Sequence, residues 1–244
     1  MKATDMNTRI YTLGLIIFSF FFVCAKWTVE EEYLSYQGIA TDLKSNQFYY
    51  LEEHKETMDH HVLKQTTIQY KDSAGTVIAR KIVDYSGNKV TPAFEQNDYR
   101  DGYTEGVSYS GNKLVFKFRK NNKETLKTKS IDRPENLVVD GGFNYYIKRN
   151  WSDLVAGKTK VFNFAVPSQL DYFGFRLYKD SQQNDEIVFK MEPDNYMLRK
   201  LVDPIRVTYK VSTKRIIKYE GLSNINDKKG KSYLVKIMYP KVGP

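Results

Sequence analysis

The chain's three histidines, His54, His60 and His61, lie close together among Glu52, Glu53, Glu56 and Asp59. Imidazole and carboxylate are ligands of transition metals, which need several of them converging on one point. The spacing is not that of two histidines one helical turn apart. The stretch reads as a strand, a turn and another strand, so a polar hairpin tip accounts for it and no metal site is expected. A second set is Asp98 and Glu105, within Asn97-Asp98-Tyr99-Arg100-Asp101-Gly102-Tyr103-Thr104-Glu105-Gly106. Two carboxyls facing across a cleft could hydrolyse a glycosidic bond. The alternative is a tight polar loop in which Arg100 neutralises its neighbours. No Gly-x-Ser-x-Gly elbow, phosphate-cradling glycine loop or dinucleotide fingerprint occurs. Asn150-Trp151-Ser152 matches a glycosylation acceptor but falls inside an expected helix. No catalytic residue and no cofactor is therefore assigned.

The elements that must carry any site are mostly strands. From residue 40 onward the dominant period is two. Thr66, Ile68 and Tyr70 alternate with polar neighbours, Asp72-Ser73-Ala74-Gly75 turns the chain, and Thr76 to Tyr85 continues as a β-branched run. This is the grammar of a hairpin. It recurs at Tyr103–Tyr109 and Leu114–Phe118 around Ser110-Gly111-Asn112. Further apolar faces fall at Phe162/Phe164/Val166, Phe173/Phe175/Leu177, Ile187/Phe189/Met191, Ile205/Val207/Tyr209 and Tyr233/Val235/Ile237. One stretch departs from the pattern. Phe143, Ile147, Trp151 and Leu154 are spaced as one helical face, with Asp140-Gly141-Gly142 as its entry and Ala156-Gly157 as its exit. A second, short helix is admissible at 195–202, stopped by Pro204. Asp132-Arg133-Pro134-Glu135 is the best boundary between halves, read as a loop within one domain. The expected fold is mainly β: a curved antiparallel sheet or half-barrel of about ten strands with one amphipathic helix packed across it.

Composition bounds the rest. With 244 residues, 41% of them hydrophobic, the chain can bury a substantial core. Its single cysteine excludes an internal disulfide framework. Residues 1–9 are polar, with Lys2 and Arg9, and Ile10–Cys24 is apolar almost throughout. That run is short for a spanning helix, which needs about 20 residues, and suits a signal h-region of about 7–15. Cleavage is expected after Ala25, leaving residues 26–244 as a single periplasmic or secreted β-rich domain with no transmembrane span. Lipidation of Cys24 and an uncleaved anchor are the alternatives. The formal net charge is +9. It is spread along the chain, and an exported protein has little access to nucleic acid, so none is expected as a partner.

The chain carries 19 Tyr and 14 Phe. On a sheet these rings either fill the core or line a partly wet concavity, apolar ring inward and hydroxyl towards water. The second option assigns Phe143, Ile147 and Trp151 to a ligand-facing helix surface, with Tyr103 on the wall and Arg149 near the mouth as an anion partner.

Several phrases together carry a resemblance. They are 76–85 (TVIARKIVDY), 101–106 (DGYTEG), 139–143 (VDGGF) with Trp151, and 217–225 (IKYEGLSNI). The set resembles an uncharacterised family of exported bacterial proteins with no assigned activity, which contributes no functional residues. The tail, Asp203-Pro204-Ile205-Arg206-Val207-Thr208-Tyr209 and the strand-like runs after it, resembles the late hairpins of the LolA-like half-barrel group of periplasmic lipoprotein carriers and lipid-binding proteins. That resemblance implies an incomplete barrel closed by helices around an apolar cavity. Three functions follow as expectations. The first is a non-catalytic protein holding an apolar or amphipathic ligand, such as a lipid acyl chain, in a cavity of several hundred Å³ or more. The second is an envelope scaffold meeting a protein partner. The third is a carboxylate-based hydrolase of envelope polymer.

Overall fold

The computed structural model describes residues 33–227 and 229–240, with side chains from Tyr36. The expected signal segment, Ala25 and Cys24 lie outside the described residues. The strands in chain order are β1 (Tyr33–Asp42), β2 (Phe48–Asp59), β3 (Val62–Lys71), β4 (Val77–Asp84), β5 (Ala93–Asp98), β6 (Thr104–Ser110), β7 (Lys113–Arg119), β8 (Lys127–Asp132) and β9 (Leu137–Val138). Two short helices follow, α1 (Phe143–Arg149) and α2 (Trp151–Val155). Then come β10 (Lys160–Val166), β11 (Asp171–Gln183), β12 (Glu186–Pro193), β13 (Ile205–Lys210), β14 (Arg215–Asn226) and β15 (Ser232–Met238).

All fifteen strands belong to one sheet, in the order β8-β7-β6-β5-β4-β3-β2-β1-β15-β14-β13-β12-β11-β10-β9. The chain is thus two antiparallel meanders joined through β1 and β15. Its one jump, from β8 to β9, uses the Asp132–Glu135 loop that the sequence marks as a boundary. Only the short β9–β10 pair is parallel, so the sheet is mixed. It does not close, and β8 and β9 are its edges. The expectation of about ten strands is corrected to fifteen.

Local chemistry sets the turns. Asp72 Oδ1 accepts the backbone N–H groups of Ala74 and Thr76, both at 2.9 Å, and closes the β3–β4 hairpin. His60 and His61 both have positive φ, 48° and 62°. That backbone matches the right-handed twist of the strands it joins in a two-residue hairpin, so these two rings sit at the exposed tip.

The helical stretch is one face with a break. Asn150 (φ −99°, ψ 15°) ends α1 and begins α2. Its side-chain amide donates to the Tyr146 carbonyl at 2.9 Å, competing with the helical ladder. A single continuous helix of three turns is therefore corrected to two pieces. At 195–202 only a 3-10 turn, Leu198–Lys200, forms.

Ile147, Trp151 and Leu154 bury against Phe162, Leu177, Ile187, Phe189, Met191, Val207 and Tyr209 of β10–β13. Trp151 meets Phe189 and Tyr209 edge-on, at 5.4 and 5.6 Å between centroids. Full burial of an Ile or Leu there contributes about 1.5–3 kcal/mol. A second cluster spans the two arms of the sheet. Val83, Phe94, Val107, Leu114 and Phe116 pack with Leu137, Val139 and Ala165. Outside it, Lys129 of β8 and Asp171 of β11 form an ion pair at 2.8 Å. The third cluster, around Tyr50, Tyr70, Ile225 and Val235, fills the central strands.

Candidate functional site

Successive side chains on a strand point to opposite faces. On β2, Tyr50, Glu52, His54 and Glu56 therefore share one face. Facing them across the sheet are Tyr36 of β1, Tyr70 of β3, Lys81 of β4, Tyr209 of β13 and Tyr219 of β14. With Tyr239, just past β15, they surround a cavity of about 220 Å³. Asp140, Phe143, Asn144 and Tyr145, from the entry of α1, form the opposite wall. Gly38 stands opposite Glu52 in the β1–β2 ladder. A Cβ there would come 2.9 Å from Glu52 Oε2 and 2.7 Å from the Tyr239 ring, so only glycine leaves these groups their places.

The polar groups fall into two sets. In the first, Glu52 Oε2 accepts from His54 Nε2–H at 3.0 Å and from the Tyr239 hydroxyl at 3.2 Å. The His54 ring stacks on Tyr36, with centroids 4.3 Å apart and planes 13° from parallel. A carboxylate can only accept, so it takes the Nε2 proton and leaves Nδ1 as the ring nitrogen still to be satisfied. That Nδ1 is buried and has no partner among the described residues. Four other buried side-chain atoms share this condition, on Gln96, Tyr109, Arg199 and Thr208, and none of those residues lines the cavity.

In the second set, Lys81 Nζ contacts Asp140 Oδ2, which also accepts from Asn224 Nδ2 at 2.9 Å. Elsewhere on the wall, the Tyr50 hydroxyl and Ser223 Oγ are 2.6 Å apart, and Tyr209 donates to Asn144 Oδ1 at 2.9 Å. Burial drives the Tyr36, Tyr50, Tyr70 and Tyr239 hydroxyls well above their ordinary pKa, so all four stay protonated. Glu56 is half-buried, and burial raises its pKa too.

Of the residues picked out from sequence as ligand-facing, Phe143 lines the cavity. Ile147 and Trp151 are core residues behind it. Arg149 is exposed, its guanidinium 5.6 Å from the Tyr146 ring centroid. Tyr103 is buried and donates to Glu105 at 2.8 Å. The two carboxylates weighed for hydrolysis are each occupied: Asp98 by Arg100 at 2.6 Å, and Glu105 by Tyr103. Neither lines the cavity. Among the described residues, no three His, Cys, Asp or Glu side chains are grouped to hold a metal ion. No helix among them is long and apolar enough to cross a membrane.

Sequence reasoning weighed Glu52, His54 and Glu56 only as part of a polar hairpin tip, whereas they line the cavity. Their signal was present as alternation continuing from Tyr50, with polar groups on the inward parity. Comparison with family models, with curated proteins and with solved structures gives no match in any of the three.

Proposed function

We propose that this protein is a non-catalytic binding protein for a small amphipathic molecule held in the tyrosine-lined cavity. One observation carries the reading. Aromatic rings from both arms of the sheet and from α1 enclose a single space whose floor bears ionisable groups. Rings hold an apolar or aromatic body, and the floor fixes a polar end, which is the usual division of labour in a ligand pocket. At about 220 Å³ the space is smaller than pockets for drug-sized ligands, roughly 300–1,000 Å³. A long acyl chain is also disfavoured on chemical grounds. It would set methylenes against Glu52, His54, Glu56, Lys81 and Asp140, which would lose water and gain nothing.

The open sheet then acts as a half-barrel, and the Phe143 end of α1 as its partial lid. With the expected export signal, the ligand belongs to the cell envelope or the medium. Native mass spectrometry of protein incubated with small-molecule extract tests the reading. A stoichiometric adduct lost on Tyr145→Ala supports it. A bare mass, with no thermal shift across a library of small amphiphiles, overturns it.

A further inference from the structure

The carboxylates in the cavity outnumber its lysines, and this points to the charge of the ligand. Three carboxylates line it, Glu52, Glu56 and Asp140, against one lysine, Lys81. The excess is negative, inside a chain whose formal net charge is +9. Lys81 is already engaged by Asp140 and lies near buried Glu105. It has little charge left to offer an anion. Glu56 accepts no hydrogen bond and makes no ion pair among the described residues; His54 and Lys148 act on it only from outside ion-pair distance.

His54 supplies the second, independent observation. His54 lines the cavity with its side chain 8% exposed, its Nε2–H is committed to Glu52, and its Nδ1 is buried without a partner among the described residues. A buried nitrogen without a partner is costly, and a ligand N–H or O–H donated to the neutral ring would relieve it. Around it stand tyrosine faces, which attract cations through the ring quadrupole.

We infer that the cavity selects a small organic cation with N–H donors, a protonated primary or secondary amine. Its N–H would be taken by His54 Nδ1, its charge balanced by Glu56 and Glu52, and its apolar body laid on the tyrosines. A quaternary ammonium would keep the cation–π attraction but has no proton for Nδ1. A carboxylate ligand would face like charge.

This inference rests on the cavity being a binding site, and the test separates the two. The full chain is titrated calorimetrically at pH 7 with benzylammonium, benzyltrimethylammonium, benzyl alcohol and benzoate. Expected is benzylammonium binding about tenfold tighter than benzyl alcohol, weaker binding of the quaternary probe, and none of benzoate. Glu56→Gln should weaken benzylammonium about fivefold and leave benzyl alcohol unchanged. Should that variant misfold by circular dichroism, the ranking of the four probes on the wild-type chain still decides. Binding of benzyl alcohol or benzoate as tight as that of the amine overturns the cation inference and leaves the cavity as a site. If none of the four binds at millimolar concentration, the cavity reading falls, and the inference with it.

Discussion

Lys81 of β4 and Asp140 before α1 are 59 residues apart in the chain, and their ammonium and carboxylate meet in the cavity lining. The Lys81 side chain is 3% exposed and that of Asp140 36%. The same ammonium lies 4.7 Å from the Phe94 centroid and pulls down the pKa of Glu105. One cation thus ties the entry of α1 to the first arm of the sheet and serves two carboxylates. Lys81→Met should lower stability at pH 7 by about 2–4 kcal/mol in denaturant unfolding. Most of this loss is assigned to enclosed Glu105, because water screens Asp140. A loss below about 0.5 kcal/mol would mean that the pair fastens nothing.

Glu105 should also give the protein a pH dependence of defined sign. Burial raises its pKa from 4.5 to about 6, against the opposing effects of Lys81 and the Tyr103 hydrogen bond. The folded chain therefore holds this proton more tightly than the unfolded one. The contribution is fully present below pH 4.5 and is lost as pH rises through about 6. Between those limits the wild type should lose about 2 kcal/mol relative to Glu105→Gln. Parallel stability curves for the two proteins would refute this.

Gly142 is the tightest backbone approach in the helix entry. A Cβ at this position would lie 2.0 Å from the Val90 carbonyl oxygen, itself held by the Val139 N–H at 3.2 Å. Backbone cannot rotate away as a side chain can. Gly142→Ala should cost about 3 kcal/mol or more, at the upper end of overpacking. Gly87, where a Cβ would meet nothing within 4 Å, is the control: Gly87→Ala should be neutral or slightly stabilising. Equal melting temperatures for the two variants would contradict the packing account.

The two sides of the helical stretch should differ sharply. Trp151→Ala removes a ring edge-on to Phe189 and Tyr209 and should cost about 3–5 kcal/mol. Arg149→Ala, on the exposed side, should stay within about 0.5–1 kcal/mol. Chemical unfolding of both variants measures the contrast, and similar losses would place the core elsewhere.

Strands were legible in the sequence where their inward residues were apolar. β12 shows this, with Ile187, Phe189 and Met191 all buried, and the β3–β4 and β6–β7 hairpins carried clear turn residues as well. β5 was missed because its inward positions include Gln96 and Asp98. Gln96 is buried because its amide donates to the Asn224 carbonyl at 2.6 Å, a partner 128 residues away. β8 was missed because it is an exposed edge with almost no apolar face. The site failed to declare itself for the same reason. Glu52, His54 and Glu56 occupy positions where hydrophobic patterning expects Val or Ile, and the other walls of their cavity come from distant strands. The histidine cluster thus divides in two: His60 and His61 are the hairpin tip the spacing implied, and His54 belongs to the cavity.

The pairing of β1 with β15 has a consequence for how the molecule is made. Thr41 Oγ1 donates to the Lys236 carbonyl, 195 residues later. A polypeptide emerging N-terminus first can zip β1 to β8 as successive hairpins. One flank of β1 nonetheless keeps its amides open until the final strand arrives. Such a flank is a template for a stray neighbour. The nascent chain is therefore most vulnerable just before β15 is made, and a variant that lacks only β15 should be far more aggregation-prone than the small size of the deletion suggests.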